Sequence, residues 1–340
     1  MLLLKERIDL LSRLGEYLLT DDPLLNEIIE SAYYHNPWFT LDNTSKALNS
    51  LATYFLKEEV LLEWVQAYQL PAEIIPKRIG IIMAGNIPMV GFHDLLCVFI
   101  SGHYAKIKFS DKDKILIPFL IDRLSHMDSR ASSYFETVDR LKDFDGVIAT
   151  GSNNSARYFD YYFSKYPHII RKHRNGIAVL DGSESKEDFR KLSDDVFDYF
   201  GLGCRNVSKL YVPKDYNFTP FLEVLHEKKE IVHHSKYKNN FDYNIALFLL
   251  NQENYLNNGC IILRPLEHKS SRIASLNFEY YDDIDTLRKM LESERDEIQC
   301  IATNQEWVAL PVVKYGMTQQ PQIDDYADDV DTIDFLKSVV

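Results

Sequence analysis

Short apolar segments alternate with amphipathic ones from about residue 77 onward, and this alternation constrains the fold more than any other feature of the chain. The segments cover residues 78–83, 90–99, 104–108, 115–124, 146–150 and 156–163. Strand-length and helix-length segments that alternate at this spacing are the signature of βαβ units and a parallel sheet. The chain is therefore predicted to have an α/β fold, in which ligands gather beyond the carboxyl ends of the strands.

The first part of the chain has a different pattern, because its apolar residues recur at helical spacing. The clearest series is Leu10, Leu11, Leu14, Tyr17 and Leu18. Asp22-Pro23 and Asn36-Pro37 interrupt this pattern, and a residue that precedes proline is pushed out of the α region. The pattern predicts a helical N-terminal region that ends near residue 70 and carries no catalytic residues.

Charge and composition exclude several classes of protein. The formal net charge of −13 argues against nucleic acid or an anionic membrane surface as the main partner. Lys5 and Glu6 follow Met1 so closely that the N-terminus predicts neither a signal peptide nor a membrane span, and we expect a cytoplasmic protein. The four cysteines form no CxxC pair, so we expect neither a disulfide framework nor a metal site.

Polar and glycine-rich turns follow three of the predicted strands, where a parallel sheet binds its ligands. The turns are 84–88 (AGNIP), 108–111 (KFSD) and 150–153 (TGSN). Asn86 offers an amide donor and Lys108 a cation. The Gly151-Ser152 turn exposes backbone amides that favour a phosphate if a helix begins there. The alternatives are a conformational turn before a helix, a solvated lysine and a helix N-cap.

A fourth turn, within the run YFGLGCRN at 199–206, is rich in glycine and carries one cysteine directly ahead of an apolar strand. Gly201 and Gly203 can adopt positive φ and allow a substrate to approach the backbone. A cysteine that serves only packing normally lies inside a periodic apolar segment, as Cys97 does. Cys204 is therefore a candidate nucleophile, and the alternative is a tight turn into which a small residue fits.

The order of these four turns resembles that of the aldehyde dehydrogenase superfamily. The dinucleotide motif GxGxxG and the P-loop are absent. Instead AGNIP, KFSD, GSNNSA and GLGC stand in the order of the superfamily's P-W-N-F-P, K-P-S-E, G-S-T-x-x-G and G-Q-x-C segments, across roughly residues 78–285. The chain is most similar to the long-chain acyl-CoA reductase family, which includes the LuxC-type fatty acid reductase subunit of bacterial bioluminescence. GNIPMVGFHDLL, FDGVIATGSNNSARYF and FGLGCRNVSKLYVP carry this similarity.

The resemblance implies an aldehyde dehydrogenase-like fold, with a Rossmann-type cofactor domain, an α/β catalytic domain and a helical N-terminal region. It implies that Cys204 takes the acyl group as a thioester. Asn86 and the backbone N–H of Cys204 are implied to donate hydrogen bonds to the oxygen that becomes negative. The implied partner is an acyl-CoA substrate, and superfamily members usually form homo-oligomers.

The resemblance also implies where a nicotinamide cofactor binds. Lys108 is implied to contact the adenosine ribose, and Gly151 and Ser152 to approach the pyrophosphate. Ser110 and Asp111 are implied to complete the cofactor-binding turn.

The choice of cofactor depends on the charges in that turn. Asp111 stands where the superfamily has glutamate, and a carboxylate there repels a 2′-phosphate and favours NADH. Lys112, Lys114 and the tendency of the family favour NADPH. We expect NADPH, with NADH as the alternative.

One departure from the superfamily bears on the reaction. Hydrolytic aldehyde dehydrogenases carry an E-L-G-G segment whose glutamate activates water, and the corresponding residues 168–176 contain no carboxylate. An acyl-enzyme without such a base should persist until it is reduced, so we expect reduction of a long-chain acyl-CoA to the aldehyde.

The basic run 171–174 is a candidate for binding CoA or cofactor phosphates, or else a solvated loop. The superfamily's E-x-F-G-P segment is also missing near 270–276.

The predicted domains follow the order of the motifs. Residues 1–182 should form the helical region and cofactor domain, 183–317 the catalytic domain, and 318–340 a tail returning to the cofactor side. Strands of the catalytic domain are predicted at 209–212, 245–250, 260–263 and 276–281. The alternative functions are reduction of an acyl phosphate or acyl carrier protein, and a non-catalytic role as a binding partner.

Overall fold

In a computed structural model, which describes residues 1–71, 74–307 and 309–339, the chain divides into two compact units. The first unit comprises Met1–His173 and Pro321–Val340, and the second comprises Arg174–Gln320. The first unit ends before the predicted boundary at 182, because residues 175–179 already form a strand of the second unit's sheet.

Helices form the N-terminal part of the first unit, as the apolar spacing predicts. They are α1 (Leu4–Leu18), α2 (Pro23–His35), α3 (Leu41–Tyr54) and α4 (Glu58–Tyr68). Leu10, Leu11 and Leu14 are at most 2% exposed, which places the predicted apolar face of α1 in the core. The carboxylate of Asp22 caps α2 by accepting hydrogen bonds from the backbone N–H groups of Leu24 and Leu25.

A parallel sheet follows, built from the alternating segments. Its strands are β1 (Arg78–Ile82), β2 (Tyr104–Lys108), β3 (Phe135–Thr137), β4 (Gly146–Thr150) and β5 (His168–Arg171). Helices α5 (Phe92–Ile100), α6 (Leu116–Met127) and α7 (Asn153–Phe163) lie in the connections. The strand order β3-β2-β1-β4-β5 reverses direction between β1 and β4, which is the arrangement of a dinucleotide-binding sheet.

Strand β5 corrects the interpretation of the basic run at 171–174. The side chain of Arg171 is 4% exposed, and its guanidinium pairs with the carboxylate of Asp94 at 2.7 Å. The guanidinium also donates a hydrogen bond to the Oγ1 of Thr332 at 2.8 Å. Arg171 is therefore part of the interior of the first unit and does not bind a CoA phosphate. Lys172 and His173 are exposed.

Replacing Asp94 with alanine is expected to lower the free energy of unfolding by about 3 kcal/mol, because it leaves the buried guanidinium of Arg171 without its charge partner. Asp9→Ala is the matched control, since it removes an exposed helix pair with Arg13 and should cost only a few tenths of a kcal/mol. Urea denaturation of both variants measures the difference. An equal loss of unfolding free energy in both variants would show that the Arg171–Asp94 pair stabilises the protein no more than a surface pair.

The second unit contains a larger, mostly parallel sheet. Its strands are β6 (Asn175–Val179), β7 (Val207–Pro213), β8 (Leu256–Asn257), β9 (Ile262–Pro265), β10 (Ser275–Tyr281), β11 (Ile298–Ala302) and β12 (Val312–Val313). The order is β12-β11-β6-β7-β10-β9-β8, and only the β8–β9 pairing is antiparallel among the described strands. Its helices are α8 (Lys186–Phe197), α9 (Thr219–Leu225), α10 (Ser235–Leu250) and α11 (Ile284–Ser293), and α12 (Thr332–Ser338) belongs to the first unit.

The strand predicted at 245–250 is wrong, because these residues form the last turns of α10. The helix buries Tyr237, Phe241, Asn244 and Phe248, which recur at helical spacing, whereas Leu250 is 83% exposed. A short apolar run cannot by itself distinguish a buried strand from a helix segment.

None of the helices in the described parts of the chain is long and apolar enough to cross a membrane.

Candidate functional site

The strand order of the first unit selects one position for a ligand. Ligands of open parallel sheets bind beyond the carboxyl ends of the strands where the order reverses, here between β1 and β4. Ile82 at the end of β1 pairs with Ala149 of β4 on one side and with Lys108 of β2 on the other. The three turns predicted from the sequence therefore leave the sheet at the same edge.

The turns after β1 and β2 are packed directly on each other. A Cβ atom on Gly85 would lie 2.6 Å from the Oγ of Ser110, so this position accommodates no side chain. The buried carboxyl group of Asp113 accepts hydrogen bonds from the backbone N–H of Met89 at 3.2 Å and of Leu116 at 3.3 Å. Asp113 thereby holds the turn that carries Asn86 against the turn that carries Ser110.

Asp113 also makes the stability of the first unit depend on pH. Burial raises the pKa of Asp113 to about 6, although its two backbone donors act in the opposite direction. The folded protein therefore keeps a proton that the unfolded chain releases near pH 4. This contribution to the free energy of unfolding, on the order of 3 kcal/mol, is complete below about pH 4 and is lost as the pH rises through about 6.

We expect Asp113→Asn to remove part of the decrease in the free energy of unfolding between pH 4 and pH 6, measured by urea denaturation. Part of the decrease should remain, because burial also raises the pKa of Asp195 in the second unit to about 6. Identical pH dependence in Asp113→Asn and the unchanged protein would contradict the assignment to Asp113.

The turn after β2 presents charges to solvent. Lys108 and Asp111 are both exposed, and the carboxylate of Asp111 pairs with the ammonium of Lys114 at 2.5 Å. The Lys114 hydrogen bond holds the pKa of Asp111 below its usual value. The Oγ of Ser110 accepts a hydrogen bond from the backbone N–H of Lys112 at 3.3 Å. The negative charge of Asp111 is thus partly compensated by Lys114.

The turn after β4 leads directly into α7. The Oγ of Ser152 accepts a hydrogen bond from the backbone N–H of Ser155 at 3.3 Å, which makes Ser152 the N-cap of the helix. A Cβ atom on Gly151 would lie 2.8 Å from the Cβ of Ser155 and 2.9 Å from the ring of Phe159. Glycine therefore allows the helix to start close to the end of the strand. The N-cap interpretation is confirmed, and phosphate binding at the same turn stays a prediction.

The four cysteines, all in described parts of the chain, differ in accessibility. Cys97, Cys260 and Cys300 are at most 1% exposed, whereas Cys204 is partly exposed. Burial raises the pKa of the Cys97 thiol well above its ordinary value and that of Cys260 to about 11. A buried thiol that resists ionisation is a poor nucleophile, so Cys204 is the best candidate of the four.

Cys204 lies in a tight turn preceded by strained backbone. The backbone N–H of Asn206 donates to the carbonyl of Gly203 at 3.2 Å, which closes the turn around Cys204. Just before it, Tyr199, Phe200 and Gly201 have φ values of 52°, 59° and 72°. Large side chains rarely adopt this left-handed conformation, which costs about 1–3 kcal/mol for each non-glycine residue and clusters at functional sites.

Sequence reasoning missed two residues that hold these turns, Asp113 and Asn206. Each is at most 3% exposed, and its side-chain oxygen accepts a hydrogen bond from a backbone N–H in or directly after a predicted turn. The signal available was weak: Asp113 precedes the start of α6, and Asn206 closes a turn that opens with Gly203. Asp and Asn are frequent at both kinds of position for conformational reasons alone.

No protein-family model and no curated protein matches the chain. Solved structures do match, at low sequence identity. Aldehyde dehydrogenase 21 of Physcomitrella patens, in complex with the reaction product succinate, is 11% identical over 99% of this chain and 84% of its own, with a TM-score of 0.71. An oxidoreductase from Marinobacter aquaeolei is 10% identical over 94% of this chain and 79% of its own, with a TM-score of 0.69.

An NADP-dependent enzyme of E. coli is 13% identical over 92% of this chain and 78% of its own, with a TM-score of 0.66. Identities this low establish the architecture alone. The chain has an aldehyde dehydrogenase-like fold.

Proposed function

We propose that the protein is an NAD(P)H-dependent reductase that converts a long-chain fatty acyl-CoA to the aldehyde through a thioester on Cys204. The observation that carries the proposal is the position of Cys204. It is the partly exposed cysteine of the chain, in a closed turn preceded by strained backbone, on an aldehyde dehydrogenase-like fold. The NADP-dependent and aldehyde dehydrogenase neighbours support the broader assignment to nicotinamide-dependent oxidoreductases.

The residues of the first unit fit a nicotinamide dinucleotide. The sheet reverses its strand order between β1 and β4, and Gly151 lets the first turn of α7 start close to that point. The exposed side chain of Lys108 and the turn at Ser110 and Asp111 would hold the adenosine ribose, and Gly151 and Ser152 the pyrophosphate. A reduced nicotinamide supplies the hydride that converts a thioester to an aldehyde. The compensation of Asp111 by Lys114 supports NADPH, with NADH as the alternative.

Cys204 carries the covalent part of the reaction. Its thiolate attacks the acyl carbonyl, a sulfur–carbon bond forms, and the CoA thiolate leaves and is protonated by solvent. After reduction of the carbonyl carbon, the sulfur–carbon bond breaks, the aldehyde departs and the thiolate is restored. Asn86 is proposed to donate its side-chain amide to the carbonyl oxygen while that oxygen is negative.

The segment at 168–176 supports reduction over hydrolysis. It forms β5, a connecting segment and the start of β6, and contains no Asp or Glu. A glutamate that activates water is therefore missing from the segment where the superfamily resemblance expects it. The thioester on Cys204 is then expected to resist hydrolysis and to persist until it is reduced.

The direct test is to incubate the protein with tetradecanoyl-CoA and either NADPH or NADH, and to measure cofactor consumption by absorbance and aldehyde by mass spectrometry. We expect aldehyde and oxidised cofactor in equal amounts, with faster turnover for NADPH. Tetradecanoyl phosphate and tetradecanoyl acyl carrier protein serve as competing donors. Activity with one of these donors but not with acyl-CoA would replace the substrate assignment, and no acylation by any donor would favour a non-catalytic role.

A further inference from the structure

The turn that carries Cys204 is held by the side chain of its own last residue. The Oδ1 of Asn206 accepts a hydrogen bond from the backbone N–H of Gly203 at 2.8 Å. The backbone of Asn206 closes the same turn on the Gly203 carbonyl. Cys204 lies between these two residues, so both hydrogen bonds fix the backbone from which its thiol projects.

The amide nitrogen of Asn206 ties this turn to the chain that precedes it. Its Nδ2 donates to the carbonyl oxygens of Asp195 at 3.0 Å and of Asp198 at 2.8 Å. Asn206 is 2% exposed, and these bonds use both amide hydrogens and the carbonyl oxygen of its side chain. Asp198 directly precedes the left-handed residues 199–201 and Gly203 follows them closely, so one side chain spans both ends of the strained segment.

A second set of contacts supports the same turn. The Nε of Arg205 donates to the carbonyl of Thr318 at 2.6 Å. Thr318 is held in turn by the carboxyl group of Asp195, which accepts from its backbone N–H at 3.0 Å and from its hydroxyl at 2.8 Å. A Cβ atom on Gly176 would lie 2.5 Å from the carbonyl oxygens of Arg205 and Asn206. The turn is thus fixed on several sides, and Asn206 is the residue that connects it to the strained segment.

On the basis of the proposed function, we propose that Asn206 is the positioning residue for Cys204, because its carboxamide clamps the strained segment to the cysteine turn and so fixes the direction of the thiol. Asn206 acts through the backbone of the turn and not on the acyl group. Small displacements of a reacting group reduce rates strongly even when the group itself is unchanged. Loss of the clamp should therefore slow acylation of Cys204, and it should slow alkylation by a free reagent because the partly exposed thiol would no longer be held toward solvent.

The test is the rate at which iodoacetamide alkylates Cys204, followed across pH by mass spectrometry of its peptide. This reaction needs no acyl substrate, so it is independent of the proposed function. In Asn206→Ala we expect alkylation at neutral pH to slow by about tenfold or more and the midpoint of its pH profile to move. Acylation by tetradecanoyl-CoA should slow by a similar factor.

Asn244→Ala is the matched control, because Asn244 is also 2% exposed and donates its Nδ2 to a backbone carbonyl, that of Ile273, at 2.8 Å. It should lose comparable stability and keep the alkylation rate of Cys204. Asn206→Asp is the second variant. It retains the acceptor for Gly203 but turns a carboxylate oxygen toward two carbonyls and adds a negative charge, so the pH midpoint of alkylation should move upward.

Two outcomes would overturn the positioning role. One is an unchanged alkylation rate and pH midpoint in both Asn206 variants. The other is an equal loss of rate in Asn206→Ala and Asn244→Ala, which would make the effect a general loss of stability. If alkylation slows only in the Asn206 variants while the unchanged protein accepts no acyl donor, the positioning role stands and the proposed function fails.

Discussion

Replacing Cys204 with serine is expected to abolish both acyl labelling and aldehyde formation, lowering turnover by at least about 10³-fold. A serine hydroxyl has nearly the size of a thiol but ionises far less near neutral pH, so the turn should fold while the nucleophile is lost. The measurement is mass spectrometry of peptides after incubation with tetradecanoyl-CoA, together with NADPH consumption. In the unchanged protein, the acyl mass should appear on the peptide that contains Cys204.

Cys260→Ser provides the control for this variant. The Cys260 thiol is buried and donates weakly to the Oδ1 of Asn258 at 3.3 Å, a contact that a serine hydroxyl retains. Labelling and turnover should therefore stay close to those of the unchanged protein. Acyl mass on a peptide containing Cys97, Cys260 or Cys300, or persistent labelling in Cys204→Ser, would remove Cys204 from the proposed mechanism.

The parallel sheet of the first unit was predictable because its central strands, β1 and β4, are buried on both faces and therefore appear as continuous apolar runs. Ile79 and Ile81 in β1 and Val147 and Ile148 in β4 are at most 1% exposed. The turns that follow such strands are visible in the sequence for the same reason, since polar residues and glycines interrupt the runs. The positions of Asn86, Lys108 and Gly151 at one edge of the sheet follow from this pattern.

Features that depend on distant partners were not predictable. In the sequence, Arg171 is part of a basic run that suggests a surface position. Only its pairing with Asp94, which is distant in the sequence, shows that its side chain is buried. Asn206 resembles any turn asparagine until its contacts to Gly203, Asp195 and Asp198 are known. The sequence pattern thus locates the chemical groups, whereas the contacts that fix them require the folded chain.

Asn86→Ala is expected to lower turnover by about 10²–10³-fold if its amide supplies one hydrogen bond to the negative oxygen of the reaction. The turn itself should persist, because Gly85 remains packed on Ser110 and Asp113 still holds the backbone of Met89. The measurement is steady-state NADPH consumption with tetradecanoyl-CoA, and thermal unfolding of the same variant is measured in parallel. Thermal stability and the alkylation rate of Cys204 should stay near those of the unchanged protein.

Asn86→Asp separates the catalytic role from a purely conformational one. Aspartate forms such turns as readily as asparagine, so a conformational role predicts nearly full activity in this variant. A hydrogen-bond donor to a negative oxygen predicts the opposite, because a carboxylate offers no donor at neutral pH and repels the charge that develops. We therefore expect Asn86→Asp to be at least as impaired as Asn86→Ala. Activity in Asn86→Asp close to that of the unchanged protein would assign Asn86 to the turn alone.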